Sequence, residues 1–326
     1  MQKPIQIQGK ERSVSKFMLR ILKWSGFGFV ILLLIGFAYQ QIATAIEVDN
    51  YPPVGELVDI GDYQLHLVAR GDADGLPTVV FESGMGTPSA AKDWEVLQAE
   101  LAKYTRVISY DRAGYGWSDL AHNDRTAEQI ADDLHKLLEV TGEEGPFLLV
   151  GHSFGGFSAQ IFADKYKEDV AGIVLVDSSN VNMEGGFSKA ELYIFRFLKE
   201  VGVGRVLEEI DMLPLHEHFL QDKASIAMFY QDYYNADQMS ELTFMMTTSV
   251  EQVKNAQKDG FGDLPLSVLY VDYEDYPEWK NMQKEVASLS NNGKEMLVED
   301  ADHFIHLDKP DVVIDVIMEM LSSFKE

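Results

Sequence analysis

The stretch FLLVGHSFGGFSAQIFA, residues 147–163, decides the fold. It begins with an apolar run typical of a buried strand, passes through the motif GHSFG at 151–155, and ends in apolar residues at helical spacing. Gly151 and Gly155 remove Cβ atoms that would clash in a sharp strand-to-helix turn, so the Ser153 hydroxyl is exposed at the top of a sheet. The N-terminus of the following helix adds partial positive charge that favours a developing oxyanion. The pattern predicts a nucleophilic serine, and the alternative is a small residue in a tight turn.

The composition is that of a globular protein with an acidic surface. The 326 residues are 46% hydrophobic and 25% charged, and the net charge is −26. This charge has the wrong sign for binding nucleic acid, so we expect no nucleic-acid partner. The chain has no cysteine, which excludes disulfides, thiolate metal sites and a cysteine nucleophile.

The N-terminal segment differs from the rest in charge and hydropathy. Residues 1–46 carry a net charge of +5, which leaves −31 on the remainder. Trp24–Ile46 has no charged residue and is close to the ~20 residues that cross a bilayer. The basic flank predicts a cytoplasmic segment at 1–23, a single-pass transmembrane signal anchor at 24–46, and everything after it outside. The alternative is a secreted protein, released by signal-peptide cleavage near Ala43-Thr44-Ala45.

Strand-like and helix-like segments alternate through the rest of the chain. The alternation predicts an α/β fold with a mostly parallel eight-stranded sheet, helices on both faces, and an antiparallel hairpin formed by the first two strands. The expected strands are Glu56–Ile60, Tyr63–Arg70, Thr78–Glu82, Thr105–Tyr110, Phe147–Val150, Gly172–Val176, Leu266–Val271 and Lys294–Glu299. The expected helices between them are Trp94–Tyr104, Thr126–Thr141, Phe154–Tyr166, Tyr276–Ser290 and Asp311–Lys325.

One segment, residues 178–263, interrupts the alternation. Its helical stretches include Lys189–Val201, Ala224–Tyr234 and Ala236–Gln257. Because it falls between the sixth and seventh strands, we expect a helical lid over the carboxyl edge of the sheet, where ligands bind in open α/β sheets. The catalytic core is then 47–177 together with 264–326. The lid is rich in aromatic and methionine residues, which either pack its helices or line an apolar acyl pocket.

Five stretches from about Val54 to the C-terminus resemble the α/β-hydrolase superfamily, in particular its lidded bacterial esterase and proline iminopeptidase-like branch. They are VVFESGMG, YDRAGYGWSD, VGHSFGG, GIVLVDSS and DADHFIHLDKP, in the order and spacing that the family uses. The resemblance implies a Ser-His-acid triad and no cofactor. A serine rather than an aspartate nucleophile disfavours the dehalogenase and epoxide-hydrolase branches.

A serine hydroxyl needs a base to take its proton, and the base needs a group that orients it. The resemblance places the base at His303, which follows the last apolar strand and precedes the last helix. His306 is the rival and is expected to be a structural partner, while His152 is expected to pack. His216 and His218 lack a visible third ligand, so we predict no metal site.

The family places the triad acid after either of two strands, and the sequence offers both. Asp177 directly follows the buried run GIVLV. Glu274 and Asp275 lie in the later stretch LYVDYEDYPEW, which lacks the GxxD that usually marks the acid there. We favour Asp177 and keep Glu274 or Asp275 as the alternative.

The oxyanion hole needs two backbone N–H groups. One is expected from Phe154, which follows the nucleophile, and the other from the stretch ESGMG after the third strand. By the resemblance, Met85 supplies the second donor, with Ser83-Gly84 where many relatives have His-Gly. The Asp–Arg pair of YDRAGYGWSD is expected to be structural.

The sequence thus predicts a carboxylesterase-like serine hydrolase that cleaves a small-molecule ester or amide, with an apolar acyl group favoured. One alternative is an aminopeptidase of the proline iminopeptidase type, in which Glu208, Glu209 or Glu217 of the lid would grip a free amine. An acyltransferase with an alcohol acceptor and a non-catalytic binding protein on the same fold are the others. The membrane is the expected partner of the N-terminal helix, and the oligomeric state is not predicted.

Overall fold

The computed structural model describes residues 8–210 and 222–325. Its centre is an eight-stranded sheet with the order β1-β2-β4-β3-β5-β6-β7-β8. The strands are β1 Glu56–Asp59, β2 Gln64–Arg70, β3 Thr78–Glu82, β4 Val107–Tyr110, β5 Phe147–His152, β6 Val170–Val176, β7 Leu266–Tyr270 and β8 Gly293–Leu297. β2 is antiparallel to both β1 and β4, and every later pair is parallel. The predicted mostly parallel sheet and its N-terminal hairpin are therefore confirmed.

Helices cover the sheet and also extend beyond it. They are α1 Gln8–Asn50, α2 Ala90–Asp93, α3 Glu95–Leu101, α4 Ala127–Thr141, α5 Gly155–Lys165, α6 Lys189–Glu200, α7 Val203–Glu209, α8 Lys223–Asp232, α9 Ala236–Phe244, α10 Val250–Gln257, α11 Trp279–Ala287, α12 Ile305–Asp308 and α13 Pro310–Ser322. Two apolar clusters lie on opposite faces of the sheet, one against α4 and α5 and the other against α3 and α13.

The central strand β5 contributes to both clusters. Phe147 and Leu149 face one cluster, whereas Leu148 and Val150 face the other. A strand buried on both faces needs apolar residues at every position, which is why FLLV reads as a continuous run rather than an alternation. Burying each leucine contributes about 2 kcal/mol. At its carboxyl end the strand leads into the sharp strand-to-helix turn of residues 151–155, which we call the elbow.

Helix α4 leads into β5 and has clear start and stop signals. The Thr126 hydroxyl accepts from the Gln129 N–H at its N-terminus, and Gly142 takes a left-handed conformation at its C-terminus. Since α4 runs antiparallel to the strands, its last turn, with Val140, lies at the amino edge of the sheet. This edge is opposite to the one that carries the elbow.

The segment between β6 and β7, which we call the helical insertion (residues 178–263), contains α6 to α10. The predicted helical stretch Ala236–Gln257 is helical throughout, with a π-helical turn at Met245–Ser249. At the end of this wider turn, the Ser249 hydroxyl accepts from the Ala127 N–H at the start of α4 (3.0 Å). The sequence pattern does not reveal the π-helical turn or this tertiary contact.

Within Lys16–Glu47 the N-terminal helix α1 contains an apolar window of 18 residues with mean hydropathy 2.0. Its length and composition suit a membrane-spanning anchor, and a signal sequence has the same properties. The end of α1 contacts the insertion. The Gln40 amide donates to the Tyr230 carbonyl of α8 (2.9 Å). Arg205 of α7 forms a bidentate ion pair with Glu47.

Candidate active site

The elbow lies between β5 and α5. Ser153 adopts a left-handed backbone conformation, φ +50°, and its N–H donates to the Val176 carbonyl at the end of β6 (3.2 Å). Such a conformation costs a non-glycine residue on the order of 1–3 kcal/mol. A Cβ added at Gly151 would lie 2.8 Å from the Gly155 carbonyl oxygen, and one added at Gly155 would collide with the Glu82 carbonyl. The two glycines therefore permit the close approach that this turn needs.

Asp177 and His303 form a hydrogen-bonded pair. Asp177 follows β6, is fully buried, and its Oδ2 lies 2.6 Å from His303 Nδ1. The same carboxylate accepts from the Tyr273 hydroxyl (2.6 Å) and from the Trp279 indole N–H (2.8 Å). Burial and the charge of Asp177 raise the pKa of Tyr273, so its hydroxyl remains a donor. With Asp177 as acceptor, neutral His303 carries its proton on Nδ1, which leaves Nε2 as a base.

The other candidate acids lie in a different environment. Glu274 and Asp275 are exposed on the turn between β7 and α11. Asp177 is the carboxylate in contact with His303, whose side chain is 35% exposed. The structure thus brings Asp177 and His303 together and leaves Glu274 and Asp275 in solvent.

His152 joins the elbow to the His303 loop. Its Nε2 lies 3.0 Å from the His303 carbonyl oxygen, and the two rings are 4.7 Å apart. Burial, together with the nearby His306 and His303, lowers the pKa of His152 well below its usual value, so this ring is neutral. In the described part of the chain, the Ser153 hydroxyl makes no hydrogen bond to His303. Hydrogen bonds between a catalytic serine and its base are often long before substrate binds.

The loop after β3 passes beside Ser153. A Cβ added at Gly84 would lie 3.1 Å from Ser153 Cβ. Met85 follows on this loop, and Phe154 follows the serine. Within residues 8–210 and 222–325, neither the Met85 N–H nor the Phe154 N–H donates to a protein acceptor. Unpaired backbone donors on the two segments nearest the serine are the kind of group that stabilises an oxyanion.

Arg112 fixes this loop and connects it to the insertion. Its buried guanidinium donates to the carbonyls of Ser83 and Gly84 and forms two hydrogen bonds with Glu241 of α9 (2.8 and 3.2 Å). The Tyr115 hydroxyl also donates to Glu241 (2.8 Å). Burial lowers the pKa of Arg112, but the charge of Glu241 and its hydrogen bonds, together with the nearby Tyr115 and Glu82, raise the pKa by more, so the guanidinium is charged. Helix α9 carries two buried carboxylates, Asp237 and Glu241, and nothing in the local sequence pattern distinguishes the one that contacts Arg112, so sequence reasoning missed this contact.

Glu82, the last residue of β3, is a buried carboxyl below the loop. Its Oε1 accepts from the Tyr110 hydroxyl at 2.8 Å, and its Oε2 has no partner among the described residues. Burial raises the pKa of Glu82 to about 7, opposed by the charge of Arg112 and the bond from Tyr110. This carboxyl therefore titrates near neutral pH.

A second Asp–His pair lies behind His152. His306 Nε2 is 3.1 Å from Asp93 Oδ1, and both side chains are fully buried. The His306 ring stacks on Trp94, with centroids 4.3 Å apart. In the described part of the chain, the one group of donor atoms close enough to hold a metal ion is that of Asp93, His152 and His306, within 4.8 Å of one another. The contact with Asp93 and the stacking on Trp94 give His306 the environment of a structural residue.

A cavity of about 170 Å³ lies between the loop after β3 and the insertion. Met85 forms its floor, and the aromatic rings of Tyr115, Phe187, Tyr233 and Tyr234 line it. The wall is thus mostly apolar, as in most small-molecule sites. Phe187 is also 49% exposed, so the cavity reaches the surface beside the start of α6.

Two of the carboxylates predicted for amine binding, Glu208 and Glu209, do not line this cavity. Glu208 accepts a hydrogen bond from the Tyr230 hydroxyl, and Glu209 is exposed. Glu217 lies outside the described residues, as do His216 and His218.

A parallel α/β sheet with a serine on a strained strand-to-helix turn, and with a buried Asp–His pair at the same edge, defines a protein of the α/β-hydrolase class. Residues 79–316 match the family model described as "Alpha/beta hydrolase family", and the chain belongs to this family.

Three comparisons illustrate the relationship. The chain is 28% identical over 253 residues to the protein YqjL of Bacillus subtilis, covering 76% of this chain and 84% of that one. It is 25% identical over 283 residues to the proline iminopeptidase PfmaB of Pestalotiopsis fici, covering 82% and 99%. An esterase structure from Thermogutta terrifontis superposes with a TM-score of 0.58 at 24% identity, covering 80% and 94%. The structural likeness at this identity concerns the fold alone.

Proposed function

We propose that the protein is a serine hydrolase that cleaves carboxylic esters with an apolar acyl group. The observation that carries the proposal is the 2.6 Å contact between buried Asp177 and His303, at the sheet edge where the strained turn exposes Ser153. In this proposal Ser153 is the nucleophile, His303 the general base and acid, and Asp177 the orienting acid.

The reaction has two halves. Ser153 Oγ attacks the ester carbonyl carbon while His303 Nε2 takes the hydroxyl proton, and the N–H groups of Phe154 and Met85 bind the carbonyl oxygen as it becomes an oxyanion. The tetrahedral intermediate collapses, the bond to the alcohol oxygen breaks, and His303 returns the proton to that oxygen. Water then attacks the acyl-enzyme with His303 as base, and Ser153 regains its proton as the acid leaves.

The cavity supports an ester with an apolar acyl group. Its aromatic wall suits a hydrocarbon chain placed next to Met85. In this proposal residues 47–177 and 264–326 form the catalytic core, and residues 178–263 form the lid that shapes the acyl pocket. The contacts of Arg112 with both Glu241 and the loop after β3 would then couple lid position to the oxyanion hole.

The N-terminal helix is, in the same proposal, an uncleaved single-pass anchor with residues 1–23 in the cytoplasm. The bonds from α1 to the insertion support retention of the helix, since cleavage near Ala45 would remove Gln40 and its bond to the Tyr230 carbonyl. The basic flank supports the orientation.

Labelling with a fluorophosphonate probe tests the nucleophile. The full chain in detergent is expected to be labelled, and Ser153→Ala is expected to lose the label. Ser158→Ala, five residues further along on α5, is the matched control, because it removes a buried serine hydroxyl that donates to the Gly155 carbonyl and lies outside the proposed triad. A folded parent that takes no label, or a label that survives Ser153→Ala, contradicts the proposal.

A second candidate is an aminopeptidase, favoured by the similarity to the proline iminopeptidase PfmaB. An N-terminal prolyl amide and a nitrophenyl acyl ester, compared at equal concentration, separate the two activities. Faster hydrolysis of the prolyl amide would favour the aminopeptidase.

A further inference from the structure

The outward surface of α6 and α7 is apolar. Between residues 193 and 210 seven side chains are exposed, and Glu209 is the one among them that is charged. The other six are Tyr193, Ile194, Phe197, Leu198, Val206 and Ile210, and we call them the apolar face. Their exposed fractions reach 63% at Tyr193 and 58% at Val206. A helix pair facing water normally presents polar residues on its outer side.

The contact with α1 determines how deep the apolar face would lie in a bilayer that α1 crosses. A Cβ added at Gly36 would collide with the Val201 carbonyl, and one added at Gly202 would lie 3.0 Å from the Gly36 carbonyl oxygen. The turn between α6 and α7 therefore touches the α1 backbone within its uncharged stretch. At 1.5 Å per residue, Gly36 lies about 6 Å before Gln40 and about 16 Å before Glu47 along the helix. If α1 crosses a bilayer, this turn lies below the level of the outer surface.

Two of the basic side chains near this contact, Arg205 and Lys199, are paired with carboxylates. Arg205 forms its ion pair with Glu47. Lys199 lies 3.2 Å from Glu200 and also donates to the Gln231 carbonyl at 2.8 Å. Pairing lowers the cost of holding these groups beside lipid, and it leaves the apolar side chains as the exposed part of the surface.

We propose that the apolar face inserts into the outer leaflet of the bilayer that α1 crosses, and that the substrate of the Ser153 site is an ester amphiphile taken from that leaflet. The first half rests on the proposed membrane anchor, and the second half rests on the proposed serine hydrolase. The occupant of the face is the lipid bilayer, because the face is continuous with the membrane helix through the Gly36 contact. The cavity beside Met85 reaches the surface at Phe187, just before α6, so an acyl chain leaving the leaflet enters next to the loop that carries Met85.

Single-cysteine labelling of the full chain tests the first half. The chain has no cysteine of its own, so one introduced residue carries an environment-sensitive fluorophore without background. Val206→Cys probes the apolar face, and Val140→Cys is the matched control, a 47% exposed valine at the opposite edge of the sheet. In phosphatidylcholine nanodiscs, the Val206 label is expected to shift to the blue, to brighten at least twofold, and to be quenched by doxyl lipids. A label at Val206 that behaves like the one at Val140 overturns the proposal.

A comparison of two substrates tests the second half. Phe197→Asp adds a charge to the apolar face at an exposed position, where folding tolerates it, and Val140→Asp is its control. Turnover of a long-chain acylglycerol held in the nanodisc is expected to fall at least tenfold in Phe197→Asp, while turnover of a short water-soluble nitrophenyl ester stays within twofold. Equal losses on both substrates, or none, refute delivery from the leaflet.

The two proposals fail in different ways. If Ser153→Ala keeps its activity on the short ester, the proposed function fails, and the substrate half of this inference fails with it. The fluorophore at Val206 reports on membrane insertion in either case, because it needs no catalysis. One combination of results overturns the substrate half alone. In it, the fluorophore at Val206 shows insertion, fluorophosphonate labels Ser153, and Phe197→Asp leaves the turnover of the long-chain acylglycerol unchanged.

Discussion

Removing the Glu241 carboxylate is expected to destabilise the fold strongly. In Glu241→Gln the guanidinium of Arg112 stays charged and only 4% exposed, and it loses the counter-ion that accepts two of its hydrogen bonds. The bonds from Arg112 to the Ser83 and Gly84 carbonyls remain, but neutral acceptors do not balance a buried charge. Breaking a buried ion pair in this way costs about 3–5 kcal/mol, a large part of the 5–15 kcal/mol typical of a whole domain.

The loss is measured as the free energy of unfolding in urea, followed by tryptophan fluorescence on the full chain in detergent. The matched control is Glu143→Gln, which breaks the two-bonded but partly exposed pair of Arg106 with Glu143. Because solvent screens that pair, its loss is expected to cost no more than about 1 kcal/mol. Equal costs for the two variants would refute the reasoning that burial of Arg112 decides the effect.

The double variant Arg112→Met with Glu241→Leu separates stability from activity. Replacing both charges with apolar residues is expected to recover most of the lost free energy of unfolding. Ester turnover is expected to stay low, since the loop after β3 then lacks the bonds that hold its carbonyls. Recovery of both quantities together would show that Arg112 does not position the loop.

Three further predictions concern the site itself. Asp177→Asn is expected to lower kcat by about 10⁴-fold, because the wrong His303 tautomer is favoured, whereas Asp275→Asn leaves kcat within twofold; equal effects would contradict the assignment. The pKa of Glu82 is about 7 in the folded chain and near 4.5 in the unfolded chain, so the free energy of unfolding of the parent falls as pH rises through this window. Relative to the parent, Glu82→Gln is therefore expected to gain about 3 kcal/mol between pH 4 and pH 8, measured by urea unfolding, and a constant difference refutes it. In Gly84→Ala the new methyl would lie 2.7 Å from Nδ1 of the buried His152 and 3.1 Å from Ser153 Cβ; we expect at least a tenfold loss of kcat together with a lower melting temperature, and unchanged kcat would contradict it.

The local pattern of the sequence was enough to predict the fold. The continuous apolar run of β5 identifies a strand buried on both faces, and the glycines around Ser153 identify the turn that follows. Because both signals are encoded within about ten residues, they can be read without knowledge of tertiary contacts.

The remaining features depend on residues far apart in the chain. Whether Asp177 or a carboxylate of the 272–275 loop contacts His303 depends on how that loop folds against Trp279. The bonds between Arg112 and Glu241 join positions 129 residues apart. No local periodicity encodes such a contact. The π-helical turn at Met245–Ser249 is likewise not encoded locally, since its Ser249 hydroxyl contacts the start of α4, more than 100 residues earlier in the chain.

The backbone at two strand ends restricts which amino acids fit the positions that we propose for the nucleophile and the triad acid. Both Ser153 (φ +50°) and Asp177 (φ +40°) lie in the left-handed region, which disfavours β-branched side chains and tolerates aspartate and asparagine. A threonine nucleophile at position 153 would add backbone strain to any loss of reactivity, whereas a cysteine there changes the attacking atom without adding a second substituent on Cβ. Directed evolution of this scaffold would therefore reach a thiol nucleophile more readily than a secondary alcohol.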